Sequence, residues 1–136
     1  MINRRVMLES LMASIVSSSA LAEEEAEHAQ VTPVFHQELP DVSLKNWAIS
    51  AVEVRYGPGV ASPVHRHPGF VLGYVLEGSV RFALKGHTER IVETGQMFYE
   101  PPGSVHQVSS NASNEKPARL LALIFAERGE ALTRPA

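Results

Sequence analysis

The chain of 136 residues contains no cysteine, which excludes disulfide bonds, thiolate metal sites and thiol nucleophiles together. It also lacks any run of eighteen apolar residues, so no segment is long enough to be interpreted as a transmembrane helix. The net charge is −3 and basic residues form no cluster, which argues against nucleic acid or an anionic membrane as a partner. The length fits one domain.

The first 22 residues predict an export signal. Residues 1–5 are basic, the following segment is rich in small and apolar residues, and Ala20-Leu21-Ala22 fits the pattern that signal peptidase cleaves. Arg4-Arg5 resembles the twin-arginine signal, which exports folded proteins. We therefore expect a mature chain that begins near Glu23 and is periplasmic or secreted. The alternative is an amphipathic or disordered N-terminal extension.

Two further segments follow this signal. Residues 23–30 are acidic and poor in large apolar side chains, which predicts a flexible linker, and residues 31–136 predict one folded domain. Within that domain, short apolar segments end at glycine or proline and no stretch has a long helical period. This pattern predicts an all-β antiparallel sandwich or barrel. The predicted strands are 34–39 at an edge, 48–56, 70–76, 79–85, 88–92, 97–100, 106–110 and 118–126.

Three histidines form the most informative pattern in the chain. His65 and His67 are separated by one residue, so on a strand they share a face with their backbones about 7 Å apart. His106 follows later, just after the turn Pro101-Pro102-Gly103. Neutral imidazole is a common ligand for Zn, Fe, Cu and Ni. The three histidines therefore predict a metal site.

The segments around these histidines resemble the two motifs of the cupin superfamily, in the form found in small single-domain bacterial cupins. The first motif is matched at Gly59, His65, His67 and Gly78, and the second at Gly95, Pro101, Gly103 and His106, with Asn111 one residue late. The resemblance covers residues 47 to 126. It implies a double-stranded β-helix, or jelly-roll barrel, with a metal held inside it.

One position departs from the family pattern. Val71 stands where most cupins carry a glutamate ligand, and valine cannot bind a metal. The resemblance therefore implies a site of three histidines without a carboxylate, as in some cupin dioxygenases. The expected cofactor is one divalent transition metal, with Fe or Mn favoured and Zn, Ni or Cu as alternatives. Coordination positions would stay open for water, dioxygen or a chelating substrate. The competing interpretation is a decayed site that binds ligands without metal.

Strand alternation predicts the surroundings of this site. If Val71 points inward, Gly73 and Val75 do so too, and we expect these three residues and Tyr99 to line the pocket. Tyr99 and Glu100 precede the proline turn, and one of them is expected to face the cavity; otherwise Glu100 is a charge on the rim. No general acid or base is assigned, so the catalytic residues remain unknown.

Three classes of function remain open at this point. The first is a metal-dependent enzyme acting on a small organic molecule, either a dioxygenase or an isomerase or lyase. The second is a binding or storage module for a small molecule or metal, and the third is a structural or regulatory interaction domain.

The strand 70–76 also predicts an oligomer. Its second face carries Phe70, Leu72, Tyr74 and Leu76, which is too apolar to face water, and strand 118–126 is apolar on both faces. Such strands need cover, either from the N-terminal strands or from a second subunit. The sequence therefore predicts a homodimer.

Overall fold

The structure is a computed structural model that describes residues 29–136. The predicted signal peptide (residues 1–22) and most of the predicted linker lie outside these residues. Pro33–Ala136 forms one compact unit, to which the following description refers. The described residues contain no helix, and so none that is long and apolar enough to cross a membrane.

Nine strands make up the unit. They are β1 (Trp47–Tyr56), β2 (His65–Arg66), β3 (Phe70–Glu77), β4 (Ser79–Leu84), β5 (Arg90–Glu93), β6 (Met97–Glu100), β7 (Val105–Asn111), β8 (Ala118–Glu127) and β9 (Arg134–Pro135).

The strands form two antiparallel sheets. One has four strands in the order β1-β8-β3-β6, and the other has five in the order β5-β4-β7-β2-β9. Every strand pair in both sheets is antiparallel, which confirms the predicted all-β class. The buried side chains of both sheets form one hydrophobic core: Tyr56, Val71, Val75, Val80, Phe82, Leu84, Val92, Phe98, Ala118, Leu120, Ala122 and Ile124.

The β8 strand shows how alternation builds this core. Its side chains alternate between buried and half-buried along the whole strand, as a period of two requires. Leu120 and Ile124 point into the core, whereas Leu121 and Leu123 lie on the opposite face. The strand is therefore apolar on both faces, and its inner face is more deeply buried than its outer face.

The observed strands differ from the predicted ones at both ends of the domain. The segment 34–39 forms no strand, and Val34 and Leu39 are 62% and 50% exposed, so its apolar side chains do not join the core. The two-residue strands β2 and β9 are absent from the sequence prediction. Prolines at positions 63 and 68 flank β2, and proline cannot donate to a ladder, which keeps this strand short.

A β-bulge interrupts β7 at Gln107. His106 lies opposite Leu84, but the neighbouring residue Ala83 lies opposite Val108, so Gln107 has no partner on β4. The side chain of Gln107 is exposed. The bulge shifts the alternation of β7 by one residue, so that His106 and Ser109 are both buried although three positions separate them.

Candidate metal centre

Four side chains meet between the two sheets. His65, His67, His106 and Glu100 each offer one ligand atom, and these atoms all lie within 4.8 Å of one another. His65 and His106 are directly paired across β2 and β7, and His67 follows β2. Glu100 ends β6 in the other sheet. The structure thus brings the three predicted histidines together and adds a carboxylate.

Glu100 is the group that the sequence prediction lacked. Its side chain is buried, with Oε1 3.0 Å from His106 Nδ1 and Oε2 3.7 Å from His67 Nε2. The prediction of a site without a carboxylate is therefore wrong. Val71 and Glu100 are paired residues on β3 and β6, so a carboxylate reaches this region from the strand beside the expected one. The prolines after Glu100 interrupt the strand, so the alternation of residues in the sequence did not predict which way its side chain points.

Backbone carbonyls fix two of the imidazole rings. The Nδ1 atom of His65 lies 2.7 Å from the Pro63 carbonyl oxygen, and Nδ1 of His67 lies 2.6 Å from that of Leu132. A carbonyl only accepts a hydrogen bond, so in both rings Nδ1 carries the proton and Nε2 keeps a free electron pair. Such outer contacts orient metal-binding histidines. Leu132 acts through its backbone, which no side-chain pattern in the sequence reveals.

The ring of His106 has a buried nitrogen without a partner. Its Nε2 makes no hydrogen bond to any described residue. The rings of Phe82 and Phe98 lie 5.0 and 6.0 Å from the His106 ring, so the surroundings are apolar. A buried polar atom left unpaired is costly and calls for an explanation. The donor set of three imidazoles and one carboxylate fits a bound metal ion.

The electrostatics of His65 favour the form that binds metal. Burial lowers the pKa of His65 below its ordinary value, and the nearby rings of His106 and His67 lower it further. The Pro63 carbonyl and Glu100 act in the opposite direction and offset only part of this effect. His65 is therefore neutral at pH 7, and neutral imidazole is the form that binds a metal ion.

The cluster lines a cavity of about 60 Å³. This is far below the range of roughly 300–1,000 Å³ that is usual for ligand pockets, so only a molecule of a few atoms fits inside without movement of the walls. The lining residues other than the four cluster residues are Val54, Tyr56, Ser62, Phe98, Ser109, Leu120 and Ala122. The wall is thus built from other side chains than the four that the sequence predicted.

The structure accounts for the positions of those four residues. Val71 and Val75 are fully buried in the hydrophobic core. A Cβ atom on Gly73 would lie 2.1 Å from the ring of Phe98, so this ring occupies the space beside the glycine. Tyr99 packs against Phe70, with ring centres 6.3 Å apart, and lines a separate groove of about 370 Å³. Burial raises the pKa of Tyr99.

Three hydroxyl groups in the cavity wall were not predicted from the sequence. They belong to Tyr56, Ser62 and Ser109. The spacing of the serines offered a signal, since Ser62 precedes His65 by the interval at which Ser109 follows His106. Its meaning depends on the bulge in β7, which strict alternation does not predict.

Comparison with known proteins fits this arrangement. The profile of the Cupin domain family matches residues 52–124, more than half of the chain. The chain is a cupin. This confirms the family resemblance that the two motifs indicated. It also confirms the predicted jelly-roll fold. No curated protein matched this cupin in a sequence search.

Solved structures share the fold at low sequence identity. One, of the DMSP lyases RdDddP and RnDddQII, is 23% identical with a TM-score of 0.56 and covers 65% of this cupin and 44% of that chain. The DMSP lyase DddQ from Ruegeria pomeroyi DSS-3 is 17% identical, with a TM-score of 0.55 and coverage of 95% and 73%. A Cupin 2 conserved barrel domain protein from Salinispora arenicola CNS-205 is 26% identical, with a TM-score of 0.51 and coverage of 68% and 71%. This cupin spans less than half of the first of these chains.

Proposed function

We propose that this cupin binds one divalent transition metal ion through His65, His67, Glu100 and His106 and uses it to act on a small organic molecule. The observation that carries the proposal is the buried Glu100 carboxylate among three imidazoles in a cavity. Iron or manganese is favoured because the donor set mixes imidazole with a carboxylate; Zn, Ni and Cu are the alternatives.

The bound metal would supply a Lewis acid and, if it is iron or manganese, a centre for dioxygen chemistry. The four residues would hold the ion without filling its coordination shell, so that a substrate could still bind to it. The apolar wall formed by Val54, Phe98 and Leu120 keeps most water away from that side of the site. The buried carboxylate offsets part of the positive charge that a divalent ion brings into this apolar region.

Dioxygenation is the favoured reaction, because an iron or manganese ion held by these four residues could take up both a substrate and dioxygen. An isomerase or lyase reaction is the second candidate, and it is supported by the hydroxyl groups of Tyr56 and Ser109 in the same cavity. A module that binds a small molecule or metal without turnover is the third, and the small volume of the cavity favours it.

Metal analysis and oxygen uptake separate these candidates. Protein purified without chelator is analysed for metal, and oxygen consumption is then recorded with diketones, phenols and short hydroxy acids. Stoichiometric iron or manganese with oxygen uptake supports the dioxygenase. Metal without uptake, but with conversion of a substrate, supports the isomerase or lyase. A protein that binds neither metal nor any of these compounds contradicts the proposal.

We also propose that the protein is a homodimer that pairs through the outer face of the four-stranded sheet. Leu72, Leu121 and Leu123 remain half-buried there, and Ile49 is 62% exposed. Light scattering should give twice the chain mass, and Leu123→Glu should give monomers. Ile91→Glu, at an exposed apolar residue of the other sheet, is the matched control and should leave the dimer intact. A monomeric parent protein would contradict this proposal.

Export through the N-terminal signal completes the proposal. N-terminal sequencing of protein recovered from its native host should begin near Glu23. A mature species that retains Met1 would contradict it.

A further inference from the structure

Three hydroxyl groups meet on the cavity wall beside the histidine and glutamate cluster. The phenol oxygen of Tyr56 lies 2.8 Å from Ser62 Oγ and 2.7 Å from Ser109 Oγ. Tyr56 is 4% exposed and Ser109 5%. All three residues line the same cavity as the cluster. We refer to Tyr56, Ser62 and Ser109 as the hydroxyl triad.

The strands place the hydroxyl triad at a fixed interval from the histidines. Ser109 lies opposite Phe82 on β4 and His106 lies opposite Leu84, so two steps of the ladder separate them, about 7 Å along the strand. Ser62 stays beside Ser109, because its backbone N–H donates to the Ser109 carbonyl oxygen at 2.8 Å. The cavity therefore has a metal-binding end and a hydroxyl end, and the rest of its lining is apolar.

The hydroxyl triad has more donors than its own contacts use. Each hydroxyl carries one proton, whereas the two contacts centred on Tyr56 use two of the three protons. One hydroxyl proton therefore has no acceptor within the triad. Which of the three hydroxyls carries it depends on which oxygen donates in each of the two contacts. Spare lone pairs remain on the same oxygens. A molecule in the cavity can thus find a donor and an acceptor here.

We infer that the hydroxyl triad is a second binding subsite, which holds an oxygen function of a small molecule whose carboxylate binds the metal. The inference rests on the proposed metal site and names the substrate class: a short carboxylic acid with a hydroxyl or carbonyl oxygen a few bonds away. The backbone interval of about 7 Å between His106 and Ser109 and the small cavity volume together require a short molecule.

A purely structural role for the hydroxyl triad gives a different prediction. Tyr56 is on β1 of one sheet, whereas Ser109 is on β7 of the other, so the contact also ties the two sheets together. If this were its whole purpose, removing a hydroxyl would lower the melting temperature and leave the choice of ligand unchanged.

The test uses pairs of acids that differ by one hydroxyl. Manganese-loaded protein is titrated by calorimetry with propanoate and 3-hydroxypropanoate, and with butanoate and 4-hydroxybutanoate. We expect the parent protein to prefer one hydroxy acid over its partner by about tenfold, the effect of one good hydrogen bond. The triple variant Tyr56→Phe, Ser62→Ala, Ser109→Ala removes every donor of the hydroxyl triad and should reduce this preference to near unity, without changing the affinity for manganese or for the unsubstituted acid. Ser109→Ala alone leaves two hydroxyls with one contact, and so one spare proton, and should keep part of the preference. Tyr74→Phe removes a hydroxyl from the outer face of the same sheet and should change nothing.

The results separate this inference from the proposed function. If manganese and the acids bind but the parent shows no preference, or if the triple variant keeps it, the hydroxyl triad is a structural tie and the inference is overturned while the metal site stands. If the parent binds no manganese, the titrations use the metal that it does bind; if it binds none of iron, manganese, zinc, nickel and copper, the proposed function fails and the inference fails with it. Should the triple variant not fold, the three single variants decide between the two roles: removing the hydroxyl that contacts the acid lowers the preference, whereas a structural tie leaves the preference unchanged in all three.

Discussion

The inner faces of the two sheets differ in chemistry. The five-stranded sheet and its loops present His65, His106 and Ser109 to the cavity, whereas the four-stranded sheet presents mainly apolar side chains such as Leu120. Glu100, at the edge strand β6, is the one charged member of the cluster that comes from the four-stranded sheet. One sheet therefore holds most of the candidate chemistry and the other supplies most of the packing around it.

A metal ion at this cluster would join the two sheets. The histidines come from the five-stranded sheet and the segment after β2, and Glu100 comes from the four-stranded sheet. Ligand binding to the native state alone stabilises that state. The difference between the sheets can be tested with variants that remove the histidine ligands, exchange Val71 and Glu100, or disturb the packing and the surface charges of the four-stranded sheet.

The largest effect is expected from removing histidines of the five-stranded sheet and of the segment after β2. His67→Ala combined with His106→Ala should abolish metal binding, since two of four ligands are lost. The parent should gain about 2.7 kcal/mol of stability at a metal concentration of a hundred times its dissociation constant, and the double variant should gain nothing. Metal analysis and thermal melts with and without manganese measure both effects.

His87→Ala is the control, because His87 is exposed and outside the cluster. A double variant that keeps full metal occupancy would refute the assignment of these ligands.

Exchanging Val71 and Glu100 should have the next largest effect. Val71→Glu alone buries a second carboxylate opposite Glu100 and should cost several kcal/mol. Glu100→Val alone should weaken metal binding, since an oxygen donor and its charge are lost. The double exchange should recover much of both losses, because paired residues on β3 and β6 approach the same space. Metal titrations and thermal melts of all four proteins form the complete cycle.

Additive losses in the double variant would show that the carboxylate works only from β6.

Packing in the four-stranded sheet should respond to one added methyl group. Gly73→Ala places Cβ 2.1 Å from the Phe98 ring, and Phe98 is 1% exposed, so the ring has little space to move. We expect a loss of about 1–3 kcal/mol in urea unfolding, as for other overpacked cores. Gly57→Ala is the matched control, since its Cβ would meet Val60 at an ordinary 3.5 Å. Equal stability of the two variants would mean that Phe98 moves freely.

The smallest effect is expected from the charges on the outer face of the same sheet. Arg119 lies 3.4 Å from Glu53 and 3.1 Å from Glu77, with about a third of its side chain exposed. Such pairs contribute about 1 kcal/mol or less, and salt weakens them. Arg119→Gln should therefore change urea unfolding by no more than that amount, and less in high salt. A loss of several kcal/mol would show that these charges matter as much as the core.

Local spacing explains what the sequence could predict of this site. The interval between His65 and His67 and the turn before His106 are short-range patterns, so the three histidines could be selected together. Glu100 could not be assigned, because its place depends on the pairing of β6 with β3. The alternation of β8 predicted a strand correctly. The alternation of residues 34–39 did not, because no neighbouring strand pairs with that segment.

Because of the bulge at Gln107, His106 and Ser109 are three positions apart along the chain but only two ladder steps apart on β4. Deleting Gln107 would leave His106 opposite Leu84, Val108 opposite Ala83 and Ser109 opposite Phe82, because Gln107 itself has no partner on β4. On its other edge, β7 keeps one register from the His65–His106 pair to the Ala61–Ser110 pair, so Gln107 is counted there, and a shorter chain would also have to lose a residue between Ala61 and His65 to present the same two side chains at the same interval. In an alignment the two chains would then differ by two gaps, one beside each of two candidate metal ligands, although the geometry of the site would be the same.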